Sequence, residues 1–473
     1  SLGTWMIMVR EQSLAVDAIY ILPHDAPTPH NGNSWWRQIL HEILTLFWSF
    51  FIDYNSLPSP VEGEDVRSVE VWIATGRDQA NVIRSLIDES FTPEYNIGVE
   101  LMLVDIATLL PATVAGQGPD VVLSIWNTLP MDYGLRGAVA DISNMPGFEE
   151  IEQRFHPAAM EPYRFYYDGE ERVFALPEAM TFPMMFYRRD ILHEIGLEPP
   201  DTWDEVRSAI AHLSQFHMEF GIPVNAPGNP PIDISHETFT MFLFQAGGEL
   251  YNEDNTRSAL DDYIALNAFR DFTRFFTDYN LPEDYNFLNR FRMGEMPLAI
   301  ANYAEFNVLQ VFAPEIRGLW GFRPVPATVR PCGTVSRAVP AGGSGVVMME
   351  NTDDQLAAWD FMVWWTSAEI QTQFGRRMEA LMGAAARHPT ANIEAFGQMP
   401  WAVADFNQLS AQMYYAQGLP QIPGAYFTPR QIRNAFFTVV TLEEVGARDA
   451  LTDFTRLIND EIRAKRREFG MTY

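Results

Sequence analysis

Cysteine is nearly absent: Cys332 stands alone in 473 residues, which excludes an internal disulfide and any cysteine-rich metal cluster. A low cysteine count is compatible with export, because bacterial secreted chains also fold without disulfides. Positive charge is scarce as well. Lys and Arg number 32 against 62 Asp and Glu, a net charge of −30. That sign opposes binding to phosphate backbones or anionic lipid, so no nucleic-acid partner is expected and the acidic surface serves solubility. Long apolar runs are missing too. The most apolar stretch, 34–54, contains Arg37, His41 and Glu42, and its unbroken part, 43–52, falls short of the roughly 20 residues that span a bilayer. The chain opens Ser-Leu-Gly-Thr-Trp, without a leader pattern, and reads as a piece of a longer polypeptide. GxSxG, HExxH, Walker A and GxGxxG do not occur, which disfavours the common hydrolase, nucleotide and zinc chemistries. The acidic stretch 251–262 lacks the central Gly and terminal Glu of a calcium loop. No metal, cofactor or catalytic group is expected.

What is present is the material of a folded chain: 47% hydrophobic, 13% aromatic and 20% charged residues. The length exceeds what one core organises, so two or three domains are expected. Residues 1–22 alternate around Trp5, Ile7 and Val9 like the last strands of a preceding β domain. A Pro-rich break follows, and then Trp36, Ile39, Leu40, Ile43, Leu44, Phe47, Phe50 and Phe51 recur at helical spacing. Residues 1–57 are therefore read as an N-terminal β/helical extension, with a linker at 58–67. Beyond it the texture changes. Strands at 69–73, 99–104 and 121–125 alternate with helices at 78–90 and 106–115, a pattern that predicts a parallel sheet. Thr202-Trp203-Asp204-Glu205 has the look of a capping box. A long amphipathic helix is read at 263–276, and strands at 297–301 and 345–349.

Landmark segments then stand in one order: VEVWIATGRDQA (69–80), GPDVVLSIWNTLP (118–130), GEERVFALPEAMTFPMMFYRRDILHEIGLEPPDTWDEV (169–206), FQAGGELY (244–251), NRFRMGEMPLAIANYAEF (289–306), WGFRPVPA (320–327), PAGGSGVVMME (340–350) and TSAEIQTQFGRR (366–377). Together they resemble the extracellular solute-binding proteins of family 1, the maltose-binding-protein-like group, over residues 68–473. The resemblance implies an α/β, two-lobed periplasmic-binding-protein-like fold. One lobe would take 68–177 and 337–390, the other 178–336 and 391–473. It also implies an extracellular, cell-surface protein, monomeric and without catalysis, that closes on a carbohydrate and delivers it to the permease subunits of an ABC importer. A binding protein for another solute, a surface glycan sensor and a glycoside-active enzyme stay open as alternatives.

A sugar presents hydroxyl rims and apolar C–H faces, so its site needs acids, amides and guanidinium forks beside aromatic planes. Arg77, Asp78 and Gln79 lie at the carboxyl end of the first strand, where they can meet ligand, and Thr75 or Asp78 can instead simply cap the next helix. Trp126 and Asn127 follow the third strand, with Trp126 as a stacking plane. Glu178 and Thr181 interrupt the apolar run that the resemblance places between the lobes. It further points to Glu237 before a helix, to Asn302 and Tyr303 after a strand, with Tyr303 as a second stacking plane, and to Gly343 in a backbone-lined loop. Trp401, Tyr426 and Phe427 complete the expected set.

Overall fold

Aliphatic runs bounded by glycine and turn residues open the larger part of this computed structural model, which describes residues 67–471 except 168, 227–231 and 444, together with Trp36, Ile39, Leu40, Ile43, Leu44, Ser56 and Leu57. The chain divides into two units, Ser1–Leu57 and Pro58–Tyr473. In the smaller unit Trp36, Ile39, Leu40, Ile43 and Leu44 are helical and exposed. The strands expected within 1–22, and the linker up to residue 66, lie outside the described residues.

In the larger unit Ser68–Ile73 (β1), Gly98–Leu103 (β2) and Val121–Trp126 (β3) form the start of a sheet. β1 pairs in parallel with both β2 and β3, as the alternation of strands and helices predicts. Arg77–Leu86 (α1) turns Ala80, Val82, Ile83 and Leu86 inward. It does not run evenly on to residue 90. A π-turn at Ile87–Phe91 takes over, and both of its apolar ends, Ile87 and Phe91, stay buried. The expected helix at 106–115 likewise splits, into a 3-10 turn at Ile106–Thr108 capped by Asp105 and a short helix at Leu109–Val114.

The chain next builds a second sheet. Leu176–Thr181 (β4) belongs to the first sheet and Pro183–Arg188 (β5) to the second, with Phe182 alone between them. Phe220–Gly221 (β6), Leu298–Asn302 (β7) and Trp320–Arg323 (β8) give the second sheet the order β8-β5-β7-β6. Gly342–Met348 (β9) then returns to the first sheet, antiparallel to β3 on one side and β4 on the other. A further segment lies along β4: the Met180 N–H donates to the Pro389 carbonyl at 2.8 Å and the Ala391 N–H to the Glu178 carbonyl at 2.9 Å.

Helices cover both sheets. The Thr202 cap forms: its hydroxyl accepts from the Glu205 N–H at 3.3 Å, while the Glu205 carboxylate accepts from the Asp201 N–H, one residue before the cap, at 2.6 Å. Ser235–Ala246 (α2), Tyr263–Thr277 (α3), Glu305–Phe312 (α4), Thr428–Val440 (α5) and Ala447–Glu468 (α6) follow. Phe239, Phe242, Phe269, Phe272 and Phe436 meet edge-to-face, tilted or, for Phe272 on Phe436, stacked between α2, α3 and α5. Each such buried ring is worth about 1.5–3 kcal/mol of apolar transfer, so this cluster anchors the second half of the fold.

Gly343, expected in a ligand-lining loop, is part of β9 opposite Met180. A Cβ at that position would stand 2.0 Å from the Ala179 carbonyl oxygen, and neither backbone can retreat without unpairing β4 from β9. Gly343→Ala should therefore lower stability by about 2 kcal/mol or more, seen as a lower urea midpoint at an unchanged m-value.

Candidate functional site

Where strands end decides where a ligand can rest. β3 and β4 each run antiparallel to β9, and β1 is parallel to β3, so the carboxyl ends of all three share one edge. From that edge β4 passes through Phe182 into the second sheet. There β6 and β7 are parallel, and Asn302 at the carboxyl end of β7 stands opposite Pro183 at the start of β5. Both sheets thus turn strand carboxyl ends toward one seam, the position outside which open α/β sheets bind ligands.

On the first sheet's side, α1 has Gly76 as its N-cap, without a side-chain cap bond among the described residues. Thr75 and Asp78 therefore do not cap the helix. Thr75 Oγ1 is buried with no hydrogen-bond partner among the described residues, while Arg77 and Asp78 are exposed and Gln79 is half-buried. Trp126 ends a buried strand yet is 66% exposed, with Asn127 half-buried beside it. Leaving so large an apolar face in water is costly. On the helix that follows, Arg136 Nη1 lies 3.4 Å from Glu468, and its guanidinium lies 5.8 Å from the Phe469 ring centre. Exposed pairs of this kind contribute about 0–1 kcal/mol.

On the second sheet's side, Glu237 occupies the first turn of α2. The helix N-terminus favours a charged carboxylate, but protein crowds the group and burial raises its pKa. Its neighbour His236 is pushed down to about 4 by burial, so the imidazole is neutral at pH 7. Asn302 is exposed, and its Oδ1 accepts from the Ala304 N–H at 3.0 Å. Glu305, in the first turn of α4, is raised by burial in the same way as Glu237. His236, Glu305 and Thr75 are additions to the residues expected. They carry no motif; the signal available in the sequence is their place just after a strand's carboxyl end or in the first turn of the next helix.

Two expected contacts turn out to be interior. Tyr303 is 1% exposed; its hydroxyl donates to the Met180 carbonyl at 3.0 Å, and its ring centre lies 4.7 Å from that of Phe182. It packs against the inter-sheet passage and offers no face for stacking. Glu178 is 3% exposed. Its carboxylate accepts from the Ser124 N–H at 2.6 Å, the Ser124 hydroxyl at 3.2 Å and Trp365 Nε1 at 3.2 Å. Burial pushes its pKa up to about 7 against the pull of those bonds. Thr181, at the end of the same strand, is half-buried opposite Gly342. Trp401 is half-buried among Tyr303, Phe306 and Phe396, with the Arg387 guanidinium 4.5 Å from its ring centre. Tyr426 is exposed and donates to Glu461; burial, that bond and the charge of Asp132 push its hydroxyl up to about 12. Phe427 is half-buried next to it. A 670 Å³ groove lined by Asp141, Phe148, Glu152, Glu170 and Arg172 is built from other elements, and none of these site residues lines it.

The strand ends at the seam therefore carry one open indole, amides, the charged Arg77 and Asp78 and crowded carboxyl groups, a set able to hydrogen-bond a hydroxyl-rich molecule. Among the described residues no group of three His, Cys, Asp or Glu side chains could hold a metal ion.

A family profile described as bacterial extracellular solute-binding protein matches residues 89–383. No curated protein matches the chain. Among solved structures, the sugar-binding protein MalE from Xanthomonas citri is 18% identical, with 86% of this chain and 100% of that chain covered and a TM-score of 0.69. The GacH receptor of Streptomyces glaucescens, solved unliganded and with acarbose, is 19% identical over 85% of this chain and 99% of that one, at a TM-score of 0.64. An ABC transporter solute-binding protein from Thermotoga lettingae, bound with α-D-tagatose, is 20% identical over 84% and 100%, at 0.62. At these identities the likeness is one of fold.

The raised Glu178 pKa has a definite sign. A buried acid raised from 4.5 to about 7 binds its proton more tightly in the folded state. Its stabilisation is full below pH 4.5 and is lost as the pH rises through about 7. His388, half-buried by exposure and pushed down to about 4 by desolvation, acts in the opposite direction as the pH falls from 6.5. The comparison with wild type isolates the acid: Glu178→Gln should remove a stability decrement that wild type shows between pH 4.5 and 7, measured as denaturation midpoints across that range.

Proposed function

The chain belongs to the bacterial extracellular solute-binding proteins, and from that premise we propose that it captures a carbohydrate, specifically an oligosaccharide, between its two halves and hands it to an ABC importer. The observation that carries the sugar reading is Trp126, a 66% exposed indole at the carboxyl end of a buried strand, with polar groups on both sides of the seam. Sugars are the molecules that need such a plane and such a rim together. Structures of like fold carry sugar names: acarbose, α-D-tagatose and, in a cyclo/maltodextrin-binding protein, maltotetraose.

In this reading Arg77, Asp78, Gln79, Trp126, Asn127 and Thr181 contact ligand from one lobe, and Glu237, Asn302, Tyr426 and Phe427 from the other. The lobes divide near residues 177, 337 and 390, and they rotate about the passage at Phe182. Ligand touches both only in the closed form, and its differential affinity for that form sets how far closure is favoured. The binding cycle includes no bond making. The protein works as a monomer outside the bacterial membrane, and its closed form docks on the importer's permease subunits. Among the described residues no helix is long and apolar enough to cross a membrane.

Maltotetraose and related oligosaccharides should raise the melting temperature, since ligand at 100 times Kd adds about 2.7 kcal/mol to stability. Trp126→Ala should weaken binding about tenfold or more, because losing one stacking plane costs ~1.5 kcal/mol. A broad glycan panel giving neither a thermal shift nor calorimetric heat would overturn the carbohydrate assignment.

A further inference from the structure

Two irregularities in the first sheet lie directly behind Trp126. Along β3, the pairs Gly345–Ile125 and Val347–Val122 leave β3 with one residue more than β9. Along β4, the pairs Ser344–Ala179 and Gly345–Pro177 leave Glu178 as the extra residue. Bulges therefore flank Gly345 from opposite sides. In the β3 bulge Ser124 holds a φ of +58°, the left-handed region that side chains other than Gly avoid. Bulged positions of this conformation are ordinarily glycine. Ser124 keeps the conformation under an external restraint.

The restraint comes from the other bulge. Glu178 reaches across β9, and its Oε2 accepts the Ser124 N–H while its Oε1 accepts both the Ser124 hydroxyl and Trp365 Nε1–H. Gly345, between the two, admits no side chain: a Cβ there would stand 2.9 Å from the Tyr163 ring and 3.0 Å from the Leu176 carbonyl oxygen. The Ser124 amide therefore points at a buried acid and not into the regular ladder. Trp126 follows two residues later, opposite Ser344. An added residue in a strand turns every later side chain to the other face, so the bulge decides from which side of the sheet the indole emerges.

We propose that Glu178 is the positioning residue of the site: by clamping Ser124 in its left-handed conformation it fixes the β3 bulge, and the bulge sets the face on which Trp126 meets ligand. The inference rests on the reading of Trp126 as the stacking surface. Glu178 touches no ligand itself.

The test uses the full chain and three readings at pH 7: calorimetric affinity for maltotetraose, melting temperature, and amide exchange over 121–126. Glu178→Ala should weaken binding about tenfold or more and deprotect 121–126, whereas Glu178→Gln, which keeps an acceptor for the Ser124 N–H, should stay within about threefold of wild type. Adding Ser124→Gly to Glu178→Ala should recover part of the lost affinity, because Gly adopts the bulge conformation unaided. A lower melting temperature with unchanged affinity would reduce Glu178 to a support of the fold and overturn the proposal. Should Glu178→Ala fail to fold, Glu178→Asp takes its place, its carboxylate one methylene short of Ser124. If wild type binds no maltotetraose or related glycan, the functional reading fails separately. Exchange over 121–126 then decides the clamp: protection lost in Glu178→Ala supports it, and protection kept overturns it.

Discussion

One strand has to satisfy its backbone in two sheets at once, and the larger unit is arranged around that demand. β4 and β5 are a continuous extended run interrupted by Phe182 alone. Every N–H and C=O along it needs a partner, because buried peptide groups are costly to leave unpaired. The Phe182 carbonyl accepts the Tyr303 N–H at 3.0 Å, the Met180 carbonyl accepts the Tyr303 hydroxyl, and the Met180 N–H finds Pro389. Segments distant in sequence converge here because the passage offers bonds that nothing else can satisfy. The same convergence gathers Phe182, Tyr303, Phe396 and Trp401 into one aromatic cluster.

That constraint explains which parts of the fold were readable from composition and pattern. The parallel β1, β2 and β3 were legible, since continuous aliphatic runs separated by an amphipathic helix have few other solutions. The cap at Thr202 was legible because it is local. The π-turn at Ile87–Phe91 was not, because hydrophobic spacing does not reveal one extra residue in a turn. The two-lobed fold came through resemblance, and the solved structures of like fold bear it out.

The candidate site divides along the same line. Trp126 was legible as an aromatic just past an apolar strand, and the structure leaves it open to solvent. Tyr303 gave the same local signal, a tyrosine after a strand, and is interior. The difference is made by Phe182 and Met180, more than a hundred residues away. Glu178 looked like a polar break in an apolar run, fit for a cleft wall. Its position in a bulge instead aims it inward, where Ser124 and Trp365 supply donors. Bulges leave no mark in a residue pattern, so the inward acid could not be told from an outward one. Glu237 and Glu305 show the reverse case: exposed in part, yet crowded enough that burial raises both.

In the proposed closure, the single-residue span at Phe182 would govern time as well as shape. A pivot there would barely move the groups beside it, such as Thr181 and Gly342, and would move most those ligand contacts that lie farthest from it. Floor contacts are then available to an arriving molecule before any rotation, and rim contacts exist only after it. Groups of the first kind govern how often an encounter becomes productive; groups of the second kind govern how long the guest remains. Substitutions near the pivot should therefore register in the association rate, and substitutions at the rim in the dissociation rate, where most affinity differences among related complexes arise.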